Sequence, residues 1–199
     1  MERILDLGCG TGDSWRVLEM PVDNWQVVGI DLKQDRLQAA RDKYSSHGWS
    51  YLRACGERMP LATASVRGVI CEVALPYMHI PQTLREIHRV LIPGGWFKAT
   101  LHAPRFTWSE LQRSFPKPKP SLFRVFVLLN GMVLHCSGNV LSLGKIVESC
   151  QTDSGMRIAL RRAGFTAVQL RHQGQRFYME ALRDDADLRI EAAVAEPVV

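Results

Sequence analysis

Much familiar chemistry is missing from this chain. The five cysteines, Cys9, Cys55, Cys71, Cys136 and Cys150, are scattered, and no two stand in Cys-x-x-Cys spacing. This excludes the commonest zinc and redox motifs and leaves reduced thiols in a cytoplasmic protein as the expectation. The six histidines are equally dispersed, and none joins a Cys, Asp or Glu in ligand spacing, so no metal is expected. There is no Gly-x-Ser-x-Gly elbow and no Gly-x-x-x-x-Gly-Lys phosphate loop. No signal peptide is expected, because Met1-Glu2-Arg3 runs straight into a strand pattern. The apolar stretch Leu122–Leu134 has 13 residues, whereas a transmembrane helix needs about 20.

Charge of one sign is also short in one place. Arg105, Arg113, Lys117, Lys119 and Arg124 face a single acid, Glu110, within a chain of net charge +5. A solvated loop explains this, and so does attraction to an anionic partner. Aromatic residues do not interleave with these cations in a stacking pattern, and no Asn/Asp-Pro-Pro-Tyr-type motif is present, which argues against nucleic acid. With 199 residues the chain suits one domain with a good core.

The most informative stretch present is Ile4-Leu5-Asp6-Leu7-Gly8-Cys9-Gly10-Thr11-Gly12. An apolar strand ends in an acid and a glycine-rich turn, and a helix pattern follows. Glycines at this density suit backbone that turns sharply and approaches a ligand closely. The spacing is Gly-x-Gly-x-Gly. Asp13 stands where a dinucleotide site has its third glycine, which disfavours a nicotinamide-dependent oxidoreductase. Asp6 lies within reach of a cationic group over the turn, such as the ammonium of S-adenosylmethionine.

Strands and helices alternate from Arg3 to Leu101, the pattern of a parallel sheet covered on both faces. Strands are expected at Arg3–Leu7, Gln26–Asp31, Ser50–Ala54, Val66–Val73 and Trp96–Leu101, with the near-continuous apolar Val66–Val73 at the centre. Helices are expected at Asp13–Met20, stopped by Pro21, at Lys33–Tyr44 and at Pro81–Leu91. Beyond Pro104 the rhythm breaks. Pro116-Lys117-Pro118-Lys119-Pro120 reads as a stiff extended linker. Leu122–Leu134 reads as a lid or pocket helix, with a core helix or a membrane-surface contact as alternatives. A helix at Thr152–Ala163 precedes a hairpin of Phe165–His172 and Arg176–Leu182. Residues 184–199 are expected to fray.

Residues Arg3 to about Leu101 resemble a class I S-adenosylmethionine-dependent methyltransferase of the ubiquinone- and menaquinone-pathway group. Asp6-Leu7-Gly8-Cys9-Gly10-Thr11-Gly12 is similar to that family's first motif. Leu84 to Gly95, ending Ile92-Pro93-Gly94-Gly95, resembles its helix and turn before strand five. The resemblance implies a Rossmann-like, doubly wound α/β sheet, mostly parallel with a C-terminal antiparallel hairpin; the length suits a single domain (1–199), and the broken rhythm marks 104–150 as an insertion or lid within it. The resemblance also implies S-adenosylmethionine as cofactor, held by Asp6, Gly8, Cys9, Gly10 and Gly12. Asp31 would accept the ribose hydroxyls, with Leu32 on the adenine face. Ala54-Cys55-Gly56-Glu57-Arg58-Met59-Pro60-Leu61 is similar to a third stretch in which relatives often have an Asp where Cys55 stands. A thiol accepts poorly, so Gly56 and Glu57 are expected to compensate.

Glu72 and Val73 should border the methyl group, at the sheet edge where ligands collect. Tyr77 and His79 follow in the loop expected to face the acceptor, His79 as a candidate base and Tyr77 as an orienting group, with packed loop residues as the alternative. Methyl transfer needs alignment and exclusion of water, and needs a base only when the acceptor must lose a proton. The expected activity is therefore methyl transfer to a small molecule. Phe106, Trp108, Phe115, Phe123 and Phe126 point to an aromatic or lipid-like one, though core packing explains them equally. The alternative is a silent module that binds S-adenosylmethionine or S-adenosylhomocysteine, motivated by Cys55 and by a start almost on strand one.

Overall fold

The computed structural model describes residues 2–17, 25–144, 146–173 and 176–184. Its elements alternate through the first half: β1 (Glu2–Leu7), α1 (Ser14–Val17), β2 (Trp25–Asp31), α2 (Gln34–Lys43), β3 (Ser50–Arg53), β4 (Val66–Glu72), α3 (Ile80–Val90) and β5 (Leu91–His102). Two helices, α4 (Pro104–Ser114) and α5 (Pro118–Ser137), come next. Then follow α6 (Asp153–Arg162), β6 (Phe165–Gln173) and β7 (Arg176–Arg183). The seven strands form one sheet in the order β3-β2-β1-β4-β5-β7-β6. β1 to β5 pair in parallel, and β7 enters antiparallel between β5 and β6. The fold is thus the Rossmann-like α/β sheet with a terminal antiparallel hairpin, and β4 is its middle strand.

Burial follows the sequence pattern. In β1 the last four residues, Ile4 to Leu7, are all buried, as expected of a strand covered on both faces. Ile80, Leu84, Ile87 and Val90 lie on one stripe of α3 and are fully buried beside Val69, Phe97 and Leu160. Burying each such side chain contributes about 1.5–3 kcal/mol. Across the sheet a second cluster joins Cys9, Leu37, Ala40, Tyr44 and Tyr51.

Some expectations are corrected. β5 starts at Leu91, not Trp96, because Leu91 pairs with Val66 before a register shift that accommodates Pro93-Gly94-Gly95 as an irregularity inside the strand. The proline-rich stretch is not an extended linker. Pro118 opens α5, since proline suits a helix's first turn, where N–H groups have no helical partner. α5 therefore runs 20 residues rather than the 13 of its apolar core, and in length and composition it is sufficient to cross a bilayer. Its Val127, Asn130, Gly131 and Leu134 are nonetheless buried. Asn130 donates to the carbonyls of Leu141, Val147 and Glu148 and accepts from the Leu141 N–H. A Cβ on Gly131 would stand 2.2 Å from the Cys150 sulfur, so the helix lies almost backbone-close on that segment. The first helix is seen as Ser14–Val17, and its expected end at Met20 and Pro21 lies outside the described residues, as does the tail 185–199.

Candidate active site

Parallel strands all release their following loops at one edge, and the predicted residues gather there. The three loop glycines do different work. Gly8 (φ +71°) has no room for a side chain, because a Cβ would meet the Ala74 Cβ at 2.2 Å. At Gly12 (φ +86°) a Cβ would press on Tyr44 and Tyr51 at 3.0 Å. Only Gly10 (φ +51°) faces open space, with nothing nearer than an Arg36 nitrogen at 3.9 Å. Gly10 therefore leaves its side of the loop open, whereas Gly8 and Gly12 pack closely against Ala74 and against Tyr44 and Tyr51. Asp13 explains the departure from dinucleotide spacing. Its carboxylate accepts from Lys43 Nζ (2.6 Å), the Tyr44 hydroxyl (2.7 Å) and the Thr11 hydroxyl (3.1 Å), which pins the loop to α2.

A cavity of about 520 Å³ opens between these loops, lined by Gly8, Asp31, Leu32, Arg36, Gly56, Glu57, Tyr77 and Met78 among others. A second of about 380 Å³ follows the glycine loop itself, lined by Gly8, Cys9, Gly10, Thr11, Asp13, Ser14, Arg36 and Glu72. Leu32 is 62% exposed at the mouth of the first, as a platform for a flat ring would be. Arg36 borders both, and the sequence reading missed it because nothing in α2 marks which exposed cation turns toward the loop.

The acids divide by task. Asp6 is 1% exposed and its Oδ1 has no hydrogen-bond partner. Burial pushes its pKa up to about 7, opposed by a hydrogen bond from Ser14 and reinforced by the nearby Glu72, Asp31 and Asp13. Asp6 itself lines neither cavity, and a buried acceptor left unpaired is a costly arrangement that a cation reaching it would relieve. Asp31 is less free than expected. Its Oδ2 accepts from Gly10 N (3.0 Å) and its Oδ1 from Lys33 N (2.8 Å), so it also fixes the loop. A carboxylate has about four acceptor sites, so room remains for hydroxyls. Glu57 lines the cavity, but its Oε1 accepts from His79 N (2.8 Å) at the start of α3. Cys55 is half-buried, forms an isolated bridge with Arg58, and does not line the cavity.

His79 is likewise absent from the cavity walls. It caps α3 through its backbone, and its Nδ1 is buried without a partner. Tyr77 does reach the large cavity, with its ring edge-on to His102 at 5.7 Å. His102 is the residue the sequence reading overlooked. It closes β5 and, with Glu72, Val73, Thr100, Leu101, Phe106 and Arg176, lines a further cavity of about 260 Å³. Glu72 borders this cavity and the glycine-loop cavity alike, so the end of β4 is common to the walls of both. Burial there raises the Glu72 pKa, against the pull of Arg176.

Val73 stands at that junction with φ +52°, a left-handed conformation that is strained for a β-branched residue. Its N–H donates to both the carbonyl (3.1 Å) and the hydroxyl (3.0 Å) of Thr100, which hold it there. Burial, then Arg124, lowers the pKa of His102, while Glu110 opposes. The imidazole stacks tilted on Phe106 at 4.5 Å. Behind it Arg124 pairs with Glu148 (3.0 Å) and Glu110 (3.5 Å), so this patch holds a second acid that chain order concealed. The register Glu72↔Thr100 was the available signal, since it puts His102 just past the acids at the same edge.

The arrangement is that of an α/β protein with a glycine-loop cavity at the strand ends and a further cavity at the ends of β4 and β5. Residues 4–95 match the family described as methyltransferase domain. Over 96 residues the chain is 38% identical to 2-phytyl-1,4-naphtoquinone methyltransferase of Thermosynechococcus vestitus, which covers 46% of this chain and 42% of that protein. Over 177 residues it is 27% identical to demethylmenaquinone methyltransferase of Thermus thermophilus, covering 83% and 74%. A solved complex of the Haloferax volcanii Trm112 methyltransferase activator with a methyltransferase holds a chain of like fold. Its TM-score is 0.67 at 18% identity, over 92% of this chain and 82% of that one. Several other curated relatives are matched over only 35–45% of their own length. Residues 4–95 thus resemble a class I S-adenosylmethionine-dependent methyltransferase domain, and the open side of Gly10 and the Asp31 carboxylate on the cavity wall leave room for that family's cofactor.

Proposed function

We propose that this chain transfers a methyl group from S-adenosylmethionine to a small, apolar, lipid- or quinone-like acceptor. The observation that carries the reading is the cavity at the ends of β4 and β5, which shares Glu72 as a wall with the glycine-loop cavity. The bound cofactor would supply a methyl already activated by the positive charge of its sulfonium. Asp6 would favour the ammonium, and Asp31 with Leu32 would hold the nucleoside end. Leu101 and Phe106 supply apolar wall for the acceptor, and α4, which carries Phe106, helps keep water out. His102, kept neutral by burial and by Arg124, can accept a proton from an acceptor hydroxyl or acidic carbon. The relatives named for naphthoquinone and menaquinone methylation support an apolar ring as acceptor. A reducing, cytoplasmic setting accords with five free cysteines.

Incubating the protein with methyl-labelled cofactor and metabolite extracts tests the reading. Label should enter an apolar product, and His102→Ala should lower turnover by about 10²–10⁴-fold with cofactor affinity intact. Tight cofactor binding with no labelled product from any extract, and no S-adenosylhomocysteine formed, would favour the silent-module reading instead. The departure at Cys55 supports that reading.

A further inference from the structure

α5 shows the solvent a face that methyl transfer does not require. Leu122, Val125, Leu129 and Met132 recur at intervals of three and four, on one stripe of the helix. They are 72%, 39%, 54% and 61% exposed. Only 22% of the most apolar 18 residues of this helix are buried. Where the stripe begins, the Ser114 and Ser121 hydroxyls lie 3.3 Å apart and join the end of α4 to α5. Phe115, in the turn between them, is 77% exposed. Single exposed apolar residues need no explanation, but a continuous set does.

The charge around this stripe is one-sided. Residues 105–148 contain six Lys and Arg against two carboxylates, Glu110 and Glu148, so this stretch carries +4 of the chain's +5. Both carboxylates are occupied, Glu110 by Arg113 and Arg124 and Glu148 by Arg124. Arg105, Lys117 and Lys119 form no ion pair among the described residues. α5 itself contains no acid over its 20 residues.

We propose that α5 and the turn before it dock on the surface of an anionic lipid bilayer. Phe115 and the Leu122–Met132 stripe would enter the boundary between headgroups and acyl chains, and Lys117 and Lys119 would contact lipid phosphates. Crossing the bilayer is disfavoured, because it would strip Asn130 of its four backbone partners and part Gly131 from Cys150. Pairing with a second copy through the same stripe is disfavoured too, since it would bring two surfaces of the same positive sign together. Docking does not depend on the acceptor reading, although it would bring the Phe106 cavity, reached from α4, near apolar molecules dissolved in the membrane.

Sedimentation of the full chain with vesicles tests this without any turnover. Vesicles of phosphatidylcholine mixed with phosphatidylglycerol should bind the protein, and vesicles of phosphatidylcholine alone should bind it at least about tenfold more weakly. Leu129→Glu combined with Met132→Glu should abolish binding. Lys117→Glu combined with Lys119→Glu should weaken it by about tenfold or more and reduce its salt dependence. All four positions are exposed, and unchanged cofactor affinity will verify that the variants fold. Absence of binding to the mixed vesicles overturns the proposal. So does equal binding to both vesicle types, or a concentration-dependent dimer that the Leu129→Glu variant disrupts while vesicles bind nothing.

Discussion

The two halves of the molecule are held in shape by different means. From β1 to β5, the loops at the ends of the parallel strands are fixed largely through their backbone, as in the Gly10 and Lys33 N–H groups held by Asp31. In α4 and α5 the contacts are between side chains or from side chain to distant backbone: Phe106 against His102, Arg124 between Glu110 and Glu148, Asn130 under the Leu141 loop. Backbone turns of the first kind demand particular residues at fixed spacing and leave a motif. Side-chain contacts can be assembled from distant positions, and leave none.

Substitutions can separate the two halves. The largest effect is expected at Gly10→Val, where a β-branched residue would be strained at φ +51° and would fill the open side of the loop. Cofactor affinity measured by calorimetry should fall by roughly a hundredfold or more. A folded variant that binds as before would show that the loop does not meet the cofactor. Asp31→Ala removes a charged acceptor and unties the loop, so affinity should fall about ten- to hundredfold; no change would place the nucleoside elsewhere.

The second half should respond in stability instead. Asn130→Ala leaves the Leu141 N–H and several carbonyls unpaired in a buried place, at a cost of about 1–3 kcal/mol in denaturant unfolding. Cofactor affinity should not move. If it falls as well, the halves are coupled and the comparison fails.

Asp6 predicts a pH dependence. Its pKa stands at 3.8 in the unfolded chain and about 7 in the fold, so the folded form keeps a proton that the unfolded form has lost across that window. This group therefore lowers stability as pH rises from about 4 to about 7. A cofactor ammonium prefers the ionised carboxylate, so binding should release a proton. Affinity should then drop by up to about tenfold per unit as pH falls below 7. Asp6→Asn should flatten that profile; an unchanged slope would assign it to another group. The smallest effect is expected at Cys55→Asp. Cys55 lies off the cavity wall, so affinity should shift by less than about tenfold, and a larger change would mean that this segment does meet the adenine.

The course of β1, β2, β4 and α3 was legible because their apolar periods are long and unbroken. The central position of β4 could be read from residues buried on both faces. The start of β5 was not legible, since Leu91 belongs to the strand only through Val66 opposite it. The Pro116–Pro120 run misled because proline is as much at home in the first turn of a helix as in an extended arm. His79 drew attention as a loop histidine, yet His102 reached the cavity, because the turn after β4 directs the His79 backbone to cap α3.

By itself, then, the sequence determined the sheet, the glycine loop and the class of cofactor, because periodicity and glycine spacing express local backbone geometry directly. The tertiary structure alone decided which residues line the cavity at the ends of β4 and β5. Thr100 and His102 from β5, Phe106 from α4 and Arg176 from β7 meet only when β7 inserts beside β5. No local rule links residues 70 positions apart until the strands pair.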